Sequence, residues 1–172
     1  LVERERKFRN LFNFAPLGIF CVDSNGKVTD YNQTLKKILF LSEEDDLESL
    51  NVFTSPMFIQ SGISDQFRWC LDKPVSLSST HHYSTRSGDQ KIFLIHYKTV
   101  TDEFGRISGV QAMVEDRTLT DQAEEKYQRL FSNMVNAFAL HELILDDYGV
   151  PCDYRFLEVN PVFERMTGLS AK

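Results

Sequence analysis

Cysteine is scarce in this chain and nowhere paired: Cys21, Cys70 and Cys152 are three residues at wide spacing, and no CxxC occurs. That pattern excludes a disulfide framework and a zinc knuckle, and it fits a reducing, cytoplasmic setting. Long apolar runs are missing too. No stretch approaches the roughly 20 residues needed to span a bilayer, and neither a signal peptide nor an initiating Met is present. The chain therefore reads as a piece of a longer protein, whose other parts could be membrane-associated. Basic residues are in deficit, 19 against 25 acidic, for a net charge of −6. A nucleic-acid surface would normally be basic. The mixed run Glu3-Arg4-Glu5-Arg6-Lys7 suits a solvated helix face better than a phosphate site.

Catalytic signatures are absent as well. There is no GxxxxGK or GxGxxG phosphate loop, no Gly-x-Ser-x-Gly elbow and no Ser-His-Asp order. His81 and His82 are adjacent on an expected strand and so point to opposite faces, which prevents them from sharing a metal ion. His96 falls on the other parity again. The sequence is read as non-catalytic and without a metal site.

What the chain does contain is a repeat. Glu5, Lys7, Phe8, Leu11 and Phe12 recur as Glu124, Lys126, Tyr127, Leu130 and Phe131. Asn32, Leu35, Leu41 and Ser42 recur as Asn160, Phe163, Leu169 and Ser170, at an offset enlarged by an insertion after Cys21-Val22-Asp23. One complete unit is thus followed by the start of a second, as in a tandem array. The boundaries are expected at 1–14 (flanking helix), 15–117 (first unit), 118–135 (linker helix) and 136–172 (start of the second unit).

Periodicity predicts the elements. Leu1, Phe8, Leu11 and Phe12 share a helix face, and Pro16 stops that helix. Gly18 to Asp23 and Lys27 to Tyr31 read as a hairpin around Ser24-Asn25-Gly26. Asn32 is placed to cap a short helix carrying Leu35, Ile38 and Leu39. Glu43-Glu44-Asp45-Asp46 reads as a helix start, and Pro56 as an interruption. A second helix, capped by Ser64 or Asp65, carries Ile63, Phe67, Cys70 and Leu71 on one face, with Trp69 off that face, either interfacial or, on the plainer account, partly buried at the sheet edge. Three strands follow, 75–85, 91–101 and 106–115, joined by Arg86-Ser87-Gly88-Asp89 and Asp102-Glu103-Phe104-Gly105. Short Gly-containing turns imply antiparallel pairing. Ile92-Phe93-Leu94-Ile95 is apolar at both parities, so the sheet should be covered on both faces, one of them by residues 32–72. Ile92, Leu94, Gln111 and Met113 are expected to meet the N-terminal helix or a partner subunit. From Leu119 through Ala123, Tyr127, Leu130 and Met134 runs a weak coiled-coil seam. In the second unit, Phe138, Leu140, Leu143, Leu145, Phe156 and Phe163 lack strands to pack against. They should stay partly exposed unless they pack on the first unit or on another subunit.

Several of these pieces resemble a PAS (sensory box) domain: Pro16-Leu17-Gly18-Ile19, Asp23-Ser24-Asn25-Gly26, Asn32 after a strand, Asp89 after Gly88, Gly105-Arg106-Ile107-Ser108-Gly109-Val110 and Asp116-Arg117-Thr118. The run Asp146 to Pro161 is similar to PAS repeats of bacterial or archaeal sensor histidine kinases and diguanylate cyclases. The resemblance implies an α+β fold, a five-stranded antiparallel sheet with helices on one face and amphipathic helices at both ends. It implies a sensory, two-component type of role, a possible small-molecule ligand, and a homodimer formed through the flanking helices and outer sheet face.

The resemblance does not extend to the cofactor-bearing branches. Where flavin-binding relatives carry Asn-Cys-Arg-Phe-Leu, this chain has Asn51-Val52-Phe53-Thr54-Ser55-Pro56. Tyr83, Phe93 and Val114 stand where their polar flavin partners would be. The expected long helix offers no histidine for haem, and Cys70 shares a face with Phe67 and Leu71, as a core thiol does. Neither flavin nor haem is favoured, and no cofactor is assigned. The inward-facing sheet residues are expected to be Leu77, Ser79, His81, Tyr83, Phe93, Ile95, Val110, Ala112 and Val114. Tyr83, His81, Phe93, Ile95, Val114 and Phe67 are the candidate pocket residues, with hydrogen bonding inside the core as the alternative role of Tyr83 and His81. Asp116 and Thr118 are the candidate signal relay, with the Asp116 carboxylate capping a helix that begins near Leu119.

Overall fold

The structure, a computed structural model, describes residues 2–42, 44–85 and 87–170, without the side chains of Val2 and Phe8. The expectations attached to Leu1, to the Phe8 side chain, to Glu43 and to Arg86 lie outside the described residues. The chain divides into two compact units, Leu1–Leu119 and Thr120–Lys172.

Along the first unit run α1 (Val2–Asn13), β1 (Gly18–Asp23), β2 (Val28–Tyr31), α2 (Gln33–Ile38) and a 3-10 turn (Leu47–Ser49). Then come α3 (Pro56–Gln60), α4 (Ile63–Asp72), β3 (Ser76–Ser84), β4 (Gln90–Thr101) and β5 (Ile107–Asp116). The five strands form one antiparallel sheet in the order β2-β1-β5-β4-β3, so β1 joins strands far apart in sequence. This is the expected α+β architecture.

The hairpins share one device. Asp23 and Asp102 each accept, on Oδ1, the backbone N–H groups two and four residues on, at 2.8–2.9 Å. The glycine three residues after each, Gly26 and Gly105, takes a positive φ of 84° and 75°. The carboxylate replaces the turn's missing backbone partners while glycine alone accepts the left-handed geometry cheaply. The Ser42 and Glu48 N–H groups likewise donate to the Asp45 and Asp46 carboxylates, before and at the start of the 3-10 turn.

The inner face of the sheet and α2–α4 enclose the core. Phe20, Val22, Leu35, Phe67, Phe93, Ile95, Tyr97, Val110, Ala112 and Val114 are all buried. Ile63, Phe67 and Cys70 recur at helical spacing on α4 and face inward together. Phe67 lies 5.5 Å from Phe20 and 5.3 Å from Tyr97, centroid to centroid, the latter edge-on.

Four local expectations are corrected. Pro56 does not interrupt a helix but opens α3, because its missing N–H costs nothing at the first helical position. The start of α4 is Gly62 in left-handed geometry, with no cap from Ser64 or Asp65. The acidic run opens only the 3-10 turn, through Asp46. Trp69 is not partly buried but 54% exposed, with the Lys73 ammonium 5.0 Å above its ring. On α1, Leu11 is 67% exposed, and Phe14 beyond it 83%.

Gly109 has a packing requirement rather than a conformational one. A Cβ built there would lie 2.2 Å from the Val22 carbonyl oxygen, and a backbone atom held in the β1–β5 ladder cannot move aside. Gly109→Ala is therefore expected to lower stability by about 1–3 kcal/mol, read as a drop in the urea midpoint.

The second unit holds most of α5 (Thr118–Ser132), the hairpin β6 (Ala139–Leu145) and β7 (Pro151–Val159), and α6 (Pro161–Thr167). Asp146 repeats the hairpin device with Tyr148, Val150 and Gly149. Phe138, Leu140, Leu143 and Leu145 are exposed, as expected of a hairpin without its further strands, while Phe156 and Phe163 are half-buried against each other at 5.2 Å.

Candidate functional site

The inward residues of β3, β4 and β5 converge beneath α2–α4, and two spaces lie among them. The first is a small apolar space of about 10 Å³ lined by Phe20, Leu35, Leu39, Met57, Phe58, Ile63, Tyr83, Phe93, Ile95 and Val114. Four of the six sequence-derived candidates, Tyr83, Phe93, Ile95 and Val114, thus share one wall. A void of that size is at the lower limit for a single water, so the interior is essentially filled. The second space is an open cleft of about 590 Å³ between Leu41, residues 44–61 and the end of β3.

Phe67 lines neither space; it is fully buried in the aromatic core. His81 is placed elsewhere too. Its Nδ1 lies 2.8 Å from the Ser61 carbonyl oxygen, and its Nε2 lies 2.9 Å from the Tyr97 hydroxyl and 2.7 Å from Ser79 Oγ. A carbonyl only accepts, so the proton sits on Nδ1, and Nε2 accepts from the two hydroxyls. Both imidazole nitrogens are thereby used within the core. Burial lowers the His81 pKa and pushes that of the Tyr97 hydroxyl well up.

This network has a pH signature. A histidine whose folded pKa lies below its unfolded value contributes stability that is present above about pH 6.5 and is lost as the pH falls below it. Protonation also turns Nε2 into a donor facing two donating hydroxyls. The urea midpoint is expected to fall between pH 7 and 5.5, and His81→Gln should flatten most of that slope.

Tyr83 is one of two residues common to both spaces. Its ring stacks on Phe93 at 5.4 Å, and its hydroxyl meets Met57 Sδ at 3.4 Å. Met57 also lines both spaces, so these two side chains form the partition between void and cleft. Met57, Ser61 and Tyr97 were not singled out from sequence. Tyr97 has the parity of Phe93 and Ile95, and carrying the alternation two residues further identifies it. Met57 and Ser61 lie in a stretch without periodicity, so no local pattern announces them.

At the far edge of the site, the sheet runs into α5. Arg117 N–H donates to the Ile92 carbonyl at 2.9 Å, and Ile92 N–H donates to Thr118 Oγ1 at 3.0 Å. Asp116 Oδ1 accepts from the Thr118 N–H at 2.9 Å and from its hydroxyl at 2.5 Å. Lys91 Nζ stands 4.0 Å from the other Asp116 oxygen. The helix begins at Thr118, whose hydroxyl oxygen accepts from the sheet. Asp116 and Thr118 therefore sit together at one joint.

On α4 the Cys70 thiol is fully buried, and burial raises its pKa, which disfavours a thiolate. Among the described residues no cluster of three or more His, Cys, Asp or Glu side chains is placed to hold a metal ion. No described helix is long and apolar enough to cross a membrane.

Comparison with known proteins follows the geometry. No curated protein matches the sequence. Solved structures do. VqmA of Vibrio cholerae aligns over 70% of this chain and 52% of its own, at 19% identity and a TM-score of 0.57. The PAS domain of an HTR-like protein from Haloarcula marismortui aligns over 67% and 93%, at 17% identity and a TM-score of 0.51. A domain of a sensory box sensor histidine kinase/response regulator from Geobacter sulfurreducens aligns over 66% and 94%, at 20% identity and a TM-score of 0.52. At such identities the likeness is one of fold, and this chain spans about half the length of VqmA. A family model described as PAS fold matches residues 12–122, and one described as PAS domain matches residues 125–172. The five-stranded sheet, its helical cover and the repeated unit start therefore have a common explanation: the chain belongs to the PAS family.

Proposed function

We propose that the first unit is a non-catalytic sensory module that takes up a small ligand or partner and passes a conformational bias into α5. The output would be a domain such as a histidine kinase or diguanylate cyclase. The joint at Asp116 and Thr118 carries this reading. Because Ile92 on β4 bonds both Arg117 and Thr118, a shift of the central strands changes the partners available to the first turn of the helix. A side-chain cap of this kind is worth about 1 kcal/mol, enough to bias a two-state element. The neighbour from Geobacter sulfurreducens, described as part of a sensor histidine kinase/response regulator, and VqmA, described as bound to DPO, support a ligand-sensing role by analogy of fold.

The test uses the whole chain. Small molecules retained through purification are identified by mass spectrometry, and hydrogen exchange at residues 116–122 is compared in stripped and loaded protein. Slower exchange in the loaded form is expected. Identical exchange in both forms overturns the relay.

A second reading, a ligand-free module that dimerises an output domain, is favoured by one observation: the void beneath the sheet is only about 10 Å³. The exposed Leu11, Phe14, Leu119 and Leu130 give such a dimer apolar surface to cover. Light scattering decides the dimer part. Removing residues 1–14 should lower the oligomeric state, and an unchanged oligomer contradicts a dimer built on that helix.

A further inference from the structure

The last turn of α2 closes on a strained residue. Phe40 N–H donates to the Lys37 carbonyl at 3.2 Å, and Leu41 N–H to the Lys36 carbonyl at 2.9 Å. This pair of bonds is the Schellman ending, whose residue just beyond the cap takes left-handed geometry and is usually glycine. Here that residue is Phe40, with a φ of 57°, the one positive φ outside glycine among the described residues. A bulky side chain is strained in that region. The second unit supplies a contrast within the same chain. Leu41 and Ser42 recur as Leu169 and Ser170, so the counterpart of Phe40 is Gly168, which closes α6 at a φ of 73°. Burial does not account for the phenylalanine, whose side chain is 57% exposed. Its ring instead meets Lys91 of β4, with the ammonium 4.6 Å from the ring centroid. The same ammonium lies 4.0 Å from Asp116 Oδ2. The other oxygen of that carboxylate holds the Thr118 N–H and hydroxyl.

We propose that Phe40 is a positioning residue of the joint between sheet and helix: its ring confines the Lys91 ammonium against Asp116 and so couples the end of α2 to the start of α5. The contact explains why this position is not glycine. Glycine would end α2 without strain, but it would leave the long Lys91 side chain unconfined on one side. Asp116 would then be held less firmly in the orientation that binds Thr118. Phenylalanine keeps the three groups in line while its own backbone stays outside its preferred region. A strained ending of this kind has a second state close by, in which Phe40 relaxes, the last turn of α2 loosens and Lys91 is released. Leu41, the next residue, lines the open cleft, so a shift of that wall acts on the contact. The inference rests on the sensory reading above and gives it a route from α2 to the relay.

The test uses the whole chain, isotopically labelled and without added ligand. Phe40→Gly removes the strain and the ring together, so the urea midpoint is expected to stay unchanged or rise. The Lys91 ε-methylene proton signals should move downfield as the ring current disappears. Exchange of the Thr118 amide should quicken about threefold relative to the slowest sheet amides, the scale of an exposed cation–π contact. Phe40→Tyr keeps the ring and should restore the parent's exchange rate. In a Lys91→Met background, Phe40→Gly should have no further effect on Thr118, because Phe40 acts through Lys91. Unchanged Thr118 exchange in Phe40→Gly overturns the inference, and so does the same acceleration in the Lys91→Met background. A lower urea midpoint, with Thr118 exchanging in step with the sheet amides, makes Phe40 only the structural end of α2 and overturns it too. Every arm is read without ligand, so failure here leaves the comparison of stripped and loaded protein, and with it the sensory reading, standing.

Discussion

Asn32→Ala is expected to lower the stability of the first unit by about 3–5 kcal/mol, because it leaves several buried backbone groups unpaired at once. Asn32 is fully buried. Its Oδ1 accepts from Ile19 N–H at 2.8 Å and Leu35 N–H at 3.0 Å, and its Nδ2 donates to the Phe12 and Leu17 carbonyls, both at 2.9 Å. One side chain thus ties the last turn of α1, the start of β1 and the start of α2. Asn32→Asp separates the two halves of this role. It keeps both acceptor bonds but sets a carboxylate against two carbonyl oxygens, so it should also destabilise, and more severely at neutral than at acid pH. Urea denaturation followed by circular dichroism measures both variants. A loss below about 1 kcal/mol for Asn32→Ala, the size of a single ordinary hydrogen bond, would mean that water replaces the amide and that the joint is not rigid. Asn160 occupies the same position in the second unit, also fully buried, with Phe138, Phe163 and Asn136 as its partners.

A second large effect is expected at Phe67. Truncation to alanine should cost about 3–5 kcal/mol, from lost transfer energy and from the cavity left between Phe20 and Tyr97. Phe67→Leu should cost much less, because most of the volume remains. The same pair of variants distinguishes core from pocket. If Phe67 were the wall of a solvent-filled ligand site, the alanine variant would lose little, since water already present would fill the space. A loss below about 1 kcal/mol, well under the usual cost of truncating a buried phenylalanine, would favour that alternative over a packed core.

Much of the fold was legible because its signals are local. Asp23, Asp102 and Asp146, each followed three residues later by glycine, mark hairpins through bonds that span only four residues. The inward set on β3, β4 and β5 follows from strict alternation, since successive side chains point to opposite faces. Asn32 could be recognised as a helix cap, but not as a partner of Phe12 and Leu17. Residues 44–61 resisted for the opposite reason. Their order comes from distant groups: Asn51 Nδ2 donates to the Asn25 carbonyl, and Val52 N–H to that of Gly26. No period in the sequence encodes such contacts, so the Met57–Tyr83 partition and the cleft beside it could not be anticipated.

By itself, then, the sequence determined the element order outside the stretch between α2 and α4, the hairpin positions, the inward faces of β3, β4 and β5, and the recurrence of a second unit start. Those properties depend on spacing and turn chemistry within a few residues. Tertiary structure alone decided that His81 spends both nitrogens on Ser61, Ser79 and Tyr97, that Thr118 belongs to the sheet as much as to the helix, and that the open space lies outside the core. Each of these depends on which side chains meet across long stretches of chain, and close packing settles that only once every neighbour is in place.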